Sequence, residues 1–391
     1  MQPPHVGDFL TGAVRATLVV AAALVGACGD PTAPTRSATL CFSGAPLWVG
    51  IQNDGQGWRT MSQTSGPVGV RLTDRVVIGR VTAQGSSLAT TLEFFYLSRS
   101  QAESTFVCGV GKELHGLITN IGRPDTATAL IALGRQSTGT SGSYSLVAVP
   151  VGPQDLVSTH DSLAIIRRAQ DYPDGSEVPV LDFASSEAFL LASNSITINA
   201  GGLPAMYWWS DLLTHRGTAA TLVYSFQHCC GTRVYSVPAA RLEDGDRHHI
   251  YAVAGVNGDL RFADRFYTAP IDQVIDMGPP AHAPVFAIGK TSTTLWRVDL
   301  AAHAEYDRQV VIIAYDPDPQ SVTVIRGTRE YFGAAPATWS FTVPDLSSVP
   351  GFSDLQVSTP SSWEVTESGR PWLMPAGARA GDTFLSAYKH P

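Results

Sequence analysis

The sequence predicts an all-β protein, with several β-sandwich domains in series behind an N-terminal secretory segment. Three observations carry this. Charged residues are only 15% of the 391, against 36 glycines and 26 prolines, a balance that favours short strands and many turns. Apolar residues recur with a period of two, the mark of a strand with one buried face. No repeat of fixed period is visible, which argues against a propeller or solenoid.

Residues 1–27 have the build of a signal peptide. Arg15 supplies positive charge, offset by Asp8, and Ala16 to Ala27 is an apolar run shorter than the roughly twenty residues that span a bilayer. The run closes on Leu24-Val25-Gly26-Ala27-Cys28. This stretch resembles the lipobox of bacterial lipoproteins, with Val25 where leucine is commonest. The resemblance implies cleavage before Cys28 and acylation of its thiol. Each buried methylene adds about 0.8 kcal/mol, so two or three acyl chains give a stable anchor. Membrane lipid, through acylated Cys28, is therefore an expected partner. Gly29, rather than an aspartate, follows the cysteine, which leans toward the outer membrane over the inner one. Residues 28–39 read as a tether that, extended, reaches on the order of 35 Å.

Residues 40–108 are expected to form a first β domain. Leu47, Val49 and Ile51 alternate with Trp48, Gly50 and Gln52, Asn53 to Gly57 turns, and Trp58 opens the return. Ser100-Gln101-Ala102-Glu103 has capping-box spacing and predicts a helical turn. Residues 109–170 read as a small sandwich, with strands at Leu114 to Ile118, Ala127 to Leu133 and Tyr144 to Val149. The stretch from Tyr144 through Pro150-Val-Gly-Pro153 to Ser158 resembles the end of carboxypeptidase-regulatory-like (transthyretin-like) domains, over residues 111–165. That resemblance implies a structural sandwich without catalytic residues of its own. Residues 171–280 read as a further sandwich of immunoglobulin or transthyretin type, and 281–391 as a last β domain.

The whole arrangement is similar to uncharacterised bacterial surface lipoproteins with serial β-sandwiches. The residues that carry this are Cys28 to Thr35, the strand-turn-strand from Trp48 to Trp58, and Val180-Leu-Asp-Phe183. The similarity implies no activity.

Without Cys28, four cysteines remain. An even number suits an oxidising compartment, and a Cys41–Cys108 disulfide bracketing the first domain is the expected pairing. Cys229 and Cys230 are adjacent, and a vicinal disulfide, free thiols or separate partners all stay open. The net charge is −8 with only three lysines and no basic tract, which excludes nucleic acid as an expected partner.

Catalytic motifs are missing: no nucleophile elbow, no zincin pair, no Walker loop and no C-x-x-C. No enzyme activity, cofactor or metal is expected. His248-His249, His160-Asp161-Ser162, Asp171 with Asp174, and Asp316 with Asp318 are each more readily read as turns or hairpins than as sites. The aromatic residues are the best lead. Trp58, Trp208 and Trp209 are expected as a possible ligand platform, because neighbours on a strand face opposite ways and one of the paired tryptophans must point outward. A lipid-anchored binding or scaffolding protein is the leading expectation, with a glycan or an envelope protein as its partner. The alternatives are a surface carbohydrate-binding module and an envelope hydrolase of unrecognised type.

Overall fold

The computed structural model describes residues 34–390, apart from 43–45, 55, 63, 84–89, 109–110, 122–126, 132–134, 139–141, 217–218, 227–232, 257, 289–293, 316–320, 351, 353–359 and 373–377. Cys28, the signal segment, Cys229, Cys230, Asp316 and Asp318 lie outside the described residues. The chain is all-β, with two short α-helices among the described residues.

A twelve-stranded sheet organises the molecule. One half holds the strands Ala219–Phe226, Ala205–Leu213, Arg247–Val256, Asp259–Tyr267, Thr383–Lys389 and Ser362–Ser368, in that spatial order. The other half continues through Gln309–Tyr315, Ser321–Thr328, Thr90–Ser98, Arg75–Ala83, Trp48–Asn53 and Arg59–Thr60. The two ends of the chain meet where Thr90–Ser98 runs parallel to Ser321–Thr328, with Phe94 opposite Ile325. Segments 40–108, 171–280 and 281–391, expected as separate domains, therefore share one hydrogen-bonded sheet. Periodicity shows which face of a strand is buried. It does not show which strand lies alongside.

Both faces of the second half are covered. Strands Val285–Ile288, Thr294–Ala301 and Thr338–Pro344 form a separate sheet over one face. Trp296, Trp339 and Phe341 from this sheet pack there with Phe94, Ile312 and Ile325. The other face is covered by the paired strands Arg36–Cys41 and Pro67–Leu72, with Leu40, Val70 and Leu72 against Val49, Ile51 and Phe95. This explains why Trp48–Asn53 is buried almost throughout instead of on alternate residues. Strands covered on two sides read as continuous apolar runs. It also corrects the tether. From Arg36 onward the expected spacer is a strand with mostly exposed side chains, held by backbone pairing that leaves no apolar period to read.

The structure joins Cys41 to Cys108, with Cα atoms 5.0 Å apart. Helix Arg99–Thr105 leads up to that bridge. Its cap is Ser98 rather than Ser100, and Ser98 and Gln101 form the reciprocal capping box.

Residues 112–190 form a sandwich of two four-stranded sheets around Leu114, Ile118, Leu146, Leu156 and Ile165. Ser143–Val149 and Gln154–His160 lie in different sheets, so the Pro-Gly turn between them carries the chain from one layer to the other. Beyond the expected end at 170, Leu181–Asp182 and Phe189–Leu190 add an edge strand to each sheet.

Candidate ligand cleft

Trp58 sits where two ends of the sequence meet. Its ring lies over a saddle of two paired glycines, Gly50 and Gly79. A Cβ on Gly79 would stand 3.0 Å from the Trp48 ring and 3.2 Å from the Trp58 ring, and one on Gly50 would collide with Trp48. The missing side chains are what let the two indoles lie down on the sheet. Trp58 also meets Phe94 edge-on, at 5.9 Å. Thr60 donates its hydroxyl to the Pro350 carbonyl at 2.6 Å, which ties the strand after Trp58 to the segment after Thr338–Pro344.

Between these segments lies a cleft of about 680 Å³. That is within the range of small-molecule sites. Trp58 and Tyr331 are half-buried at its walls, and Tyr96 lies deeper. Tyr96 donates its hydroxyl to the Thr342 carbonyl at 2.7 Å and meets Tyr331 edge-on at 5.3 Å. Burial raises the pKa of both phenols, so both stay neutral. Gln52, Ser340, Thr342 and Ser348 supply polar lining. Asp345 is the one charged side chain among the described lining residues.

Tyr331 is placed by a contact between the two helices. It lies on Arg329–Phe332, which ends at Gly333 in the left-handed region at φ 78°. Gln101, already in its capping box, accepts from the Thr328 hydroxyl at 2.7 Å and donates to Glu330 at 2.8 Å. One glutamine thus caps its own helix and holds the start of the other.

The three tryptophans do not form one platform. Trp208 is 7% exposed and packs in a core with Ile196, Ile250 and Ala252. Trp209 points to the other face of its strand, as the alternation predicts. There it stacks on Tyr251 at 4.1 Å and donates to Asp211 at 3.0 Å. The stack covers one face of each ring, and Trp209 stays half-buried. Trp58 belongs to the opposite end of the twelve-stranded sheet. Of the expected platform, Trp58 alone lines the cleft.

The other sequence candidates among the described residues make structural contacts. Lys112 binds Asp171 at 2.6 Å, and Asp174 accepts the Glu113 backbone N–H at 2.8 Å. Asp161 occupies a turn at φ 50°, beside His160. His248 and His249 face opposite sides of their strand, His248 toward Val237 and His249 toward Asp211 and Asp264. Sequence reasoning missed Tyr96, Tyr331 and Thr342. Each looks like one more core aromatic or strand threonine, and only the pairing of the two chain ends brings them to Trp58.

No protein-family model, curated protein or solved structure matches this chain.

Proposed function

We propose that this chain is a lipid-anchored protein of the cell envelope that binds a neutral glycan in the Trp58 cleft and catalyses nothing. The carrying observation is the make-up of the cleft. Half-buried aromatic rings stand beside hydroxyl and amide groups, with a single carboxylate among the described lining residues. A sugar offers apolar C–H faces and a rim of hydroxyls, and such a wall matches both. Glycoside hydrolysis generally takes a pair of carboxylates across the scissile bond. The Asp345 side chain alone favours binding over cleavage.

The location rests on the lipobox at Cys28, supported by a Cys41–Cys108 bridge of the kind an oxidising compartment permits. The sandwich at 112–190, with its likeness to transthyretin-like domains, serves as a spacer in this reading.

The test is a screen of the purified chain against immobilised neutral and acidic oligosaccharides, beside palmitate labelling of wild type and Cys28→Ala. The reading expects neutral glycans to be retained and label on wild type only. Silence across the screen removes the ligand, and label that persists in Cys28→Ala removes the anchor.

A further inference from the structure

Away from the cleft, three side chains from separate elements converge on one point. His282 precedes the strand Val285–Ile288. His303 opens the single turn Ala304–Tyr306, and Glu367 lies on Ser362–Ser368 in the twelve-stranded sheet. One ligand atom from each lies within 4.8 Å of the others.

The chemistry of this cluster is unfinished. Glu367 is 0% exposed, and its Oε1 has no hydrogen-bond partner. Its Oε2 accepts the His282 backbone N–H at 2.9 Å, and no lysine or arginine pairs with it among the described residues. A fully buried carboxylate without a cation costs several kcal/mol. The His303 Nε2 is also buried and makes no hydrogen bond, while its Nδ1 lies 3.9 Å from the Glu305 carboxylate. His282 donates from Nδ1 to the Ala301 carbonyl at 2.7 Å, which leaves its Nε2 bare. A ring nitrogen fixed by a backbone carbonyl, with the other lone pair free, is the usual support for a metal-bound histidine. The two rings are parallel, 3.7 Å apart.

We propose that His282, His303 and Glu367 bind one divalent transition-metal ion of the zinc type. Two imidazoles and one carboxylate make a zinc donor set, with a fourth position left for water or a further ligand. Around a tetrahedral ion, ligand atoms stand roughly 3.4 Å apart, and the two rings must tilt out of parallel for both in-plane lone pairs to meet one ion. The frame around the site is close-packed. A Cβ on Gly369 would stand 2.3 Å from the Glu305 carbonyl, and one on Gly278 the same distance from the Tyr306 hydroxyl. Tyr306 in turn donates to the Pro279 carbonyl at 2.5 Å, and Arg261 to that of Gly278 at 2.8 Å. The ion pins the approach to Val285–Ile288 and the turn at 304–306 onto the central sheet.

A second carboxylate–histidine cluster, Asp155, His215 and Asp246, serves as the control. There Arg168 bridges both aspartates, at 3.1 and 2.6 Å, and Arg216 adds a contact to Asp155 at 2.9 Å. Those charges are already balanced.

The experiment is calorimetric titration of Zn²⁺ into the chelator-stripped full chain. One ion per chain is expected, with affinity lowered at least tenfold by Glu367→Gln and by His303→Gln and unchanged by His215→Asn. If circular dichroism shows Glu367→Gln unfolded, His282→Gln on its half-exposed ring decides in its place. A folded wild type that takes up no zinc, or uptake undiminished in both His282→Gln and His303→Gln, overturns the proposal. Glycan binding at Trp58 is a separate readout and stands or falls independently.

Discussion

His248 and His249 are neighbours on one strand, and their surroundings push their pKa values in opposite directions. His248 faces the interior, where burial pushes its pKa down to about 4. Its Nε2 accepts the Val237 backbone N–H at 2.8 Å, which requires that nitrogen to be unprotonated. His249 faces the other side, between Asp211 at 3.2 Å and Asp264 at 2.6 Å. Burial opposes its charge too, but the hydrogen bonds to Asp211 and Asp264 outweigh it and the net shift is upward. One residue of strand alternation separates a ring that burial keeps neutral from one whose carboxylate partners favour its charge.

The neutral ring gives the protein an acid-sensitive step. Below pH 6.5 the unfolded chain protonates His248 while the folded chain does not, so stability falls as pH drops from 6.5 toward 4. The loss from this group is on the order of 3 kcal/mol. Urea midpoints measured across that window should fall for wild type and flatten in His248→Gln. An equal slope in both chains contradicts the assignment. His249 works the other way: its contribution is full below the unfolded value and is lost as pH rises through its folded pKa.

Asp264 holds the charged side together. It is fully buried and binds both His249 and Arg370, the latter at 2.5 Å, while Arg370 also lies over the Tyr251 ring at 5.2 Å. Removing the carboxylate leaves two cations facing one another. Asp264→Asn should cost about 3 kcal/mol. The His249 ring, followed by NMR, should then titrate at lower pH than in wild type. An unmoved titration would show that Asp211 alone sets the charge.

The glycine saddle links fold to cleft. Gly79→Ala adds a methyl against two indoles at 3.0 and 3.2 Å. Overpacking of this kind costs roughly 1–3 kcal/mol. The change should weaken ligand binding as well as stability, because Trp58 must lift off the sheet. Gly69→Ala, on Pro67–Leu72 and outside the cleft, has nothing within 4 Å and is the matched control. Equal binding by the two variants would detach the saddle from the site.

The Cys41–Cys108 bridge closes a loop of 67 residues. Its loss in Cys41→Ala/Cys108→Ala should destabilise by roughly 4 kcal/mol on the chain-entropy account. Thermal melts of the oxidised wild type and the double variant measure this directly.

Local signals were legible and long-range ones were not. The strand-turn-strand from Trp48 to Trp58, the helix after Ser98 and the opposed faces of Trp208 and Trp209 all follow from patterns a few residues long. The parallel pairing of Thr90–Ser98 with Ser321–Thr328 has no local signature, so the sheet shared by segments 40–108 and 281–391 could not be read. The cleft inherits that blindness, since Trp58 and Tyr331 come from its two sides. The same holds for Glu367, which looks in sequence like one more polar residue on the outer face of a strand.

The account rests most heavily on Trp58 as a wall of a glycan site, and calorimetry with the best neutral oligosaccharide from the screen tests it directly. Trp58→Ala should bind at least tenfold more weakly than wild type while keeping its fold, and Trp209→Ala should bind as wild type does. Wild-type affinity in Trp58→Ala, or its loss only in Trp209→Ala, would contradict the placement of the site.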